Sequence, residues 1–267
     1  MPHGHCALTW YAYHGRELLV RKCLERIPPA SLAPLLMKVS WSLVTLCAHR
    51  DWEDVVKLFR LRFNVVARGP DQCQRTLLHW AVENQWTLDT SYERHGSTQG
   101  LINAQDRDGK TALHIAAEIA NFDAAKWVMN RRASFMLPDK YGRNAVHLAA
   151  DRYSSSILRL SLNCSTREFR RDYQGRSLLH YLAKWTTQEV LRAFCKAKHF
   201  IVDVSNRDRR TPLHYAALHS NFERALVLVE FGATIDAKDS TDFTALHYAV
   251  LNGNVKLVPL SARPWQQ

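Results

Sequence analysis

The thirteen histidines are the residues of this 267-residue chain best suited to chemistry, and six of them recur in phase. His79, His114, His147, His180, His214 and His247 are separated by 35, 33, 33, 34 and 33 residues. Imidazoles can ligate metals or carry protons near neutral pH. Convergence on one ion is excluded by the spacing. Helices stacked one repeat apart lie about 8–10 Å from each other, whereas nitrogen ligands sit about 2.0–2.1 Å from zinc. Each of these histidines is therefore expected to hydrogen-bond backbone between neighbouring repeats. His3, His5 and Cys6 are close enough in sequence to catch an ion, but they read as an N-terminal tail. The triplet His49-Arg50-Asp51 matches the kinase catalytic loop, yet Val56 stands where its Asn belongs and no glycine-rich loop or D-F-G accompanies it. P-loop, G-x-S-x-G, H-E-x-x-H and G-x-G-x-x-G patterns are absent from the sequence. Asp106, Asp139, Asp172 and Asp239 each precede a Thr, Asn or Ser by five residues and read as turn formers rather than paired catalytic carboxylates. No catalytic residue, metal, cofactor or small-molecule substrate is predicted.

The elements that carry these residues follow from the strings around each histidine. They are Thr76-Leu77-Leu78-His79-Trp80-Ala81, Thr111-Ala112-Leu113-His114-Ile115-Ala116, Asn144-Ala145-Val146-His147-Leu148-Ala149 and Ser177-Leu178-Leu179-His180-Tyr181-Leu182, then Thr211-Pro212-Leu213-His214-Tyr215-Ala216 and Thr244-Ala245-Leu246-His247-Tyr248-Ala249. Earlier in the chain the same apolar frame returns with Thr45 and Thr9 at the histidine position. Thr, Ser or Asn caps the free amides of a starting helix, and Pro212 takes the first helical position, where its missing donor costs nothing. Apolar residues three and four apart predict a second, amphipathic helix over Asp54–Phe59, Ala124–Met129, Ile157–Leu162, Glu189–Phe194 and Glu223–Phe231. Polar turn segments such as 103–110 and 139–143 separate the repeats.

A period near 33 with six copies of a T-P-L-H-x-A-like string resembles the ankyrin repeat. The resemblance implies an all-α fold, a solenoid of stacked helix-turn-helix units with β-hairpin fingers. It covers residues 1–267 as one domain, with units near 1–36, 37–70, 71–105, 106–138, 139–171, 172–205, 206–238 and 239–267, the last incomplete. Gly232-Ala233 reads as the family's helix stop. Gly109, Gly142 and Gly175 hold the finger position that wants a positive φ. Gln74, Arg209 and Asp242 replace that glycine, so distorted turns are expected there. The third repeat is poor in apolar residues from Trp86 to Gly100, which predicts a short or loose second helix. Pro259 and Pro264 interrupt the helix that begins at Asn254–Val258. Such ends imply either a piece of a longer ankyrin-containing protein or an unusual end, since a solenoid needs polar capping repeats.

Composition bounds the remaining readings. With 46% hydrophobic and 23% charged residues and only ten Gly and nine Pro, the chain is neither disordered nor loop-rich. Met1–His5 shows no secretory signal, and Leu32–Ala48 is too polar and too short to span a bilayer. Six cysteines without a CxxC pair read as reduced, mostly buried thiols, and place the chain in cytoplasm or nucleus. Asn163-Cys164-Ser165 is then a chance sequon. A net charge of +11 favours anionic partners. The positives are interleaved with aspartates and form no dense run, which argues against nucleic acid.

The ankyrin resemblance implies a protein–protein interaction scaffold that binds on a concave surface of fingers and helix ends. Carried onto this sequence, the finger contacts are Arg107, Lys110, Lys140, Tyr141, Arg143, Arg171, Tyr173, Arg176, Arg207, Arg209, Arg210 and Lys238. The first-helix contacts are Glu118, Ile119, Asp151, Arg152, Lys184, Trp185, Leu218 and His219. Segments 136–143, 169–176 and 203–210 carry +1, +2 and +1, against zero for 103–110 and −2 for 236–243, so an acidic protein partner is expected at the middle fingers. Tyr141, Arg171, Tyr173 and Trp185 are the expected anchors, being of the types enriched at interface hot spots. The alternative is a sensor or substrate-recruiting arm of a larger enzyme or nucleotide-switch protein.

Overall fold

The computed structural model describes residues 7–28, 43–44, 46–63, 70–88, 101–162, 170–197 and 201–253. The expectations for His3, His5, Cys6, the sequon at 163–165 and the interrupted helix after 253 concern residues outside them, as does most of the irregular stretch 86–100. Helices alternate between a short leading member and a longer trailing one, and no strand occurs among the described residues. The class is the all-α repeat solenoid expected. The chain divides into two compact bodies, Met1–Ala116 with Trp127–Ala133, and Ala117–Lys126 with Ser134–Gln267.

In the first body the leading helix Ala7–Tyr13 packs on Glu17–Arg26, and that helix packs on Glu53–Phe63. Their core joins Leu8, Val20, Leu24, Val55, Val56 and Phe59 to Trp86. The kinase-like triplet lies within this packing. Arg50 Nη2 donates to the Tyr13 carbonyl at 2.8 Å, Asp51 Oδ1 accepts Trp86 Nε1 at 2.6 Å, and Val56 is sealed in the core.

In the second body the leading helices Ala145–Asp151, Leu178–Trp185, Pro212–Leu218 and Ala245–Leu251 stack in order, and the trailing helices Ser155–Leu162, Gln188–Lys196 and Phe222–Glu230 stack behind them. Small residues make the first row possible. Ala149, Ala150, Ala183, Ala216 and Ala217 are buried and let helix axes approach, while Val146, Leu179 and Leu213 fill the space between. The trailing row contributes Ile157, Leu158, Val190, Leu191, Phe194, Val227 and Leu228. Trailing helices start one or two residues before those expected, because the 3.6-residue apolar period places the helix but not its first polar turn.

The fingers depart from the expectation in two ways. They are tight turns and not β-hairpins with strands. In each, one amide closes the loop, as from Asp139 to the Arg143 carbonyl at 2.7 Å. Neighbouring fingers share one further bond, from the Tyr173 amide to Tyr141 and from the Arg207 amide to Gln174. A single pair on each side is too short for a ladder. The second departure is at Gln74, Arg209 and Asp242, which are not distorted. Their φ values of 59°, 58° and 60° copy the left-handed turn of Gly109, Gly142 and Gly175. A left-handed non-glycine costs about 1–2 kcal/mol, which the turn's hydrogen bonds offset.

Gly142 is a case where glycine is required. A Cβ there would lie 2.7–3.0 Å from the ring and amide of Tyr173, at a φ of +77°. Gly142→Ala is expected to cost about 2–3 kcal/mol in a urea melt, and a loss under about 0.5 kcal/mol would show that the finger yields freely.

Candidate functional site

The six signature histidines come first, because their geometry settles what they can do. In each repeat the cap residue's amide donates to the imidazole Nδ1, as from Thr76 to His79 at 3.0 Å and from Ser177 to His180 at 3.0 Å. The cap side chain accepts the histidine's amide in return, so histidine completes the capping box usually made by Glu or Gln. With Nδ1 an acceptor, the proton resides on Nε2. That proton goes to the next repeat: His79 to the Lys110 carbonyl at 3.0 Å, His180 to Arg210 at 2.9 Å and His214 to Phe243 at 3.1 Å. These bonds are the expected bridges between repeats. His147 differs: it is sealed in the core, and its Nε2 has no partner. His247 is exposed. Burial pushes the His147 imidazole down to about 3 and His180 to about 4, so both are neutral at physiological pH. No group of three metal-ligating side chains converges among the described residues.

The recurring aspartates shape the fingers. Asp139 Oδ1 accepts the amides of Tyr141 and Arg143 at 2.9 and 2.8 Å, and Asp172 and Asp239 repeat the pattern. Their second oxygens hold cations and phenols. Asp139 pairs with Arg143 Nη2 at 2.8 Å and Asp172 with Arg176 Nε at 2.6 Å. Asp239 takes Arg210 Nε at 3.2 Å and the Tyr248 hydroxyl at 2.6 Å. Burial alone would raise the Asp172 carboxyl, but bonds from Tyr181 and Arg176 hold it below the usual range. Arg143, Arg176 and Arg210 are thus half-buried and committed inside the fold.

The other proposed contacts are placed differently. Arg107 and Lys110 lie in the first body, where Arg107 is exposed and Lys110 half-buried, with its carbonyl bonded to His79. In the second body Lys140, Arg171, Arg207 and Arg209 are exposed on the fingers, as is Lys238. Arg171 Nη1 reaches the Ser205 carbonyl at 3.3 Å. Tyr141 and Tyr173 are 52% and 58% exposed, and the Arg143 guanidinium lies 4.9 Å from the Tyr141 ring centre.

At the ends of the leading helices, three successive repeats bring rings together. Tyr153 meets Trp185 edge-on at 5.6 Å between centres, and Trp185 meets His219 at 4.8 Å. Tyr153 is 55% and Trp185 38% exposed. Charges frame the strip: Lys184 Nζ is 5.1 Å from the Trp185 ring centre and 3.9 Å from Asp151, and Arg152 is 3.7 Å from Glu118. Ile119 and Leu218 are half-buried. Tyr153 was missed by sequence reasoning, which stopped at Arg152. Its signal was an aromatic residue just past the C-cap Arg152.

Cysteines offer no nucleophile in this region. Cys47 and Cys195 are buried, with thiols pushed up to about 12 and about 11. Against the expectation of mostly buried thiols, Cys73 is exposed, because its finger needs only the backbone amide, which Asp71 Oδ1 accepts at 2.7 Å. No helix among the described residues is long and apolar enough to cross a membrane.

Comparison with known proteins agrees with this geometry. A family model described as Ankyrin repeats (3 copies) matches residues 91–160, 113–203, 152–239 and 197–260, which together span more than half of the chain. A Saccharomyces uvarum protein described as Probable palmitoyltransferase AKR2 is 39% identical over 59 residues. That match covers 21% of this chain and 8% of the yeast protein, so the chain spans a small part of that relative.

Proposed function

The chain belongs to the ankyrin-repeat family, and from that premise we propose that it is a non-catalytic scaffold whose second body docks a partner protein on its finger tips and leading-helix ends. Ankyrin repeats as a class serve protein interaction and carry no chemistry of their own. The observation that carries the location is the continuous strip Tyr153–Trp185–His219, built from three successive repeats, with Tyr153 and Trp185 exposed and His219 half-buried, in the same body whose fingers expose Arg171, Arg207 and Arg209. Aromatic rings and arginines are the side chains that most often anchor interfaces. The charge pattern favours an acidic protein over nucleic acid, because Asp151 and Glu118 lie among the cations and would repel a polyphosphate. The proposal includes about eight repeats over the whole chain and a place in cytoplasm or nucleus.

A second reading has one observation in its favour. The match to the yeast protein described as a probable palmitoyltransferase covers only 8% of that protein, so a segment similar to this chain occurs within a much longer one. The present repeats would then recruit substrates or sense partners for a domain elsewhere.

Capture from lysate by the full chain and by a Tyr141→Ala, Arg171→Glu, Trp185→Ala variant tests the docking face. With helical circular dichroism unchanged, the variant is expected to retain less than about a tenth of the specifically bound protein, as for loss of hot-spot residues. Equal recovery by both would place the interface elsewhere.

A further inference from the structure

In the second body, the position three residues after the one that precedes each trailing helix is an apolar slot. Ala124 fills it after Asn121, Ile157 after Ser154 and Val190 after Thr187, all of them buried. After Asn221 the slot holds Arg224, which is only 7% exposed. Nε and Nη1 of its guanidinium are sealed from solvent and have no hydrogen-bond partner. Thr186 Oγ1, in the turn directly after Trp185, is sealed and unpartnered as well. A desolvated cation without a counter-ion is strongly unfavourable, so an arginine in an apolar slot is the sort of local inconsistency that marks function.

The surroundings show where this charge can act. Burial holds the Arg224 guanidinium below its usual range, and Tyr153 is the side chain that acts on it electrostatically. Burial, Lys184 and then Arg224 hold the His219 imidazole down. Arg224 lies in the first turn of Phe222–Glu230, which packs on Pro212–Leu218 directly after its C-cap His219, so the unpaired cation is on the helix next to the His219 end of the ring strip.

We propose that Arg224 is the specificity residue of this face, receiving one carboxylate of a partner polypeptide whose neighbouring apolar side chain packs on the Tyr153, Trp185 and His219 rings. The proposal rests on the docking face described above and names its chemistry. One buried positive charge is neutralised by one carboxylate, whereas a doubly charged phosphate would leave an excess negative charge in a desolvated site. Nη2, the guanidinium nitrogen that is not sealed, is the donor such a carboxylate meets in a charge-assisted hydrogen bond. Nucleic acid fits less well, since it would need a row of exposed cations where Asp151 and Glu118 intervene.

The test selects a random dodecapeptide phage library on the full chain and measures the selected peptides, resynthesised, by calorimetry. Binders are expected to share one Asp, Glu or C-terminal carboxylate next to an apolar residue, and replacing that acid by its amide should weaken binding at least about 30-fold. Arg224→Val and Arg224→Met should lose the preference for acid over amide while melting about 3–8 °C higher, since each removes an unpaired buried charge. Acid-independent binding, unchanged discrimination in both variants, tighter binding of a phosphoserine replacement, displacement by oligothymidine or a library without binders would each overturn the proposal. Trp185→Ala and Tyr153→Ala separate the two claims. If they leave peptide binding intact, the docking face itself is wrong; if they weaken it while Arg224 variants do not, only the role of Arg224 fails.

Discussion

Acidification from pH 6.5 to about 4 is expected to unfold the second body through its buried neutral imidazoles. His147 and His180 are buried neutral, with imidazoles held at about 3 and about 4, while in the unfolded chain each protonates at the ordinary value of 6.5. Between those limits the unfolded chain binds more protons, so stability falls as pH falls. Each fully shifted histidine contributes about 1.4 kcal/mol per pH unit, or about 2.7 kcal/mol per unit for the pair. By pH 4.5 the accumulated loss is about 5 kcal/mol, a large part of the stability of an ordinary domain. Burial also lowers His214 and His219, which adds to the effect in the same direction. Asp172 and Asp239 are held below the ordinary carboxylate value of 3.8, so their contribution is retained throughout this window and lost only at lower pH. Urea melts of wild type and a His147→Gln, His180→Gln variant at pH 7.0, 5.5 and 4.5 separate the terms. The variant should be less stable at pH 7.0 and should lose less on acidification. Parallel slopes for the two proteins would show that other groups carry the acid response.

Local chemistry was the legible part of this fold. In Thr211-Pro212-Leu213-His214 the cap, the first-turn proline and the apolar frame all lie within four residues, and the helix starts at Pro212 as they dictate. Trailing helices were legible because their period is set by one buried face. The capping role of the histidine was legible in principle, since it stands three residues after the cap, where Glu or Gln usually reaches back. The left-handed turns at Gln74, Arg209 and Asp242 were misjudged because the glycine preference is small against the bonds that Asp71, Asn206 and Asp239 donate to or accept from the same turn. In the candidate site, the commitment of Arg143 and Arg176 could be read from Asp139 and Asp172 four residues earlier. The pairing of Arg210 with Asp239 could not, because it joins two repeats 29 residues apart. Arg224 shows only when repeats are aligned on their trailing helices, where it replaces Ala124, Ile157 and Val190.

Asp172→Ala is expected to cost about 3–5 kcal/mol, more than removal of any finger cation, because four bonds end on this one carboxylate. Oδ1 accepts the amides of Gln174 and Arg176 at 2.9 and 2.8 Å, and Oδ2 accepts Arg176 Nε at 2.6 Å and the buried Tyr181 hydroxyl at 2.7 Å. Truncation leaves a guanidinium and a phenol desolvated without an acceptor, which is the costly side of losing a hydrogen bond. Asp172→Asn separates turn from charge. Asn206 fills the equivalent place in the next finger, where its Oδ1 accepts the Arg210 amide at 2.8 Å, so an amide can close the turn. The asparagine variant should therefore lose only about 1–3 kcal/mol, the part owed to Arg176 and Tyr181. Urea melts give the totals, and hydrogen exchange at the Gln174 and Arg176 amides tells the two apart: fast in the alanine variant, protected in the asparagine one. If Asp172→Ala stays within about 1 kcal/mol of wild type, the finger aspartates do not hold the turns, and their recurrence needs another cause. A large loss would instead mean that the Asp172 finger presents Tyr173 on a platform held by its own aspartate, so that this part of the docking face is rigid before any partner arrives.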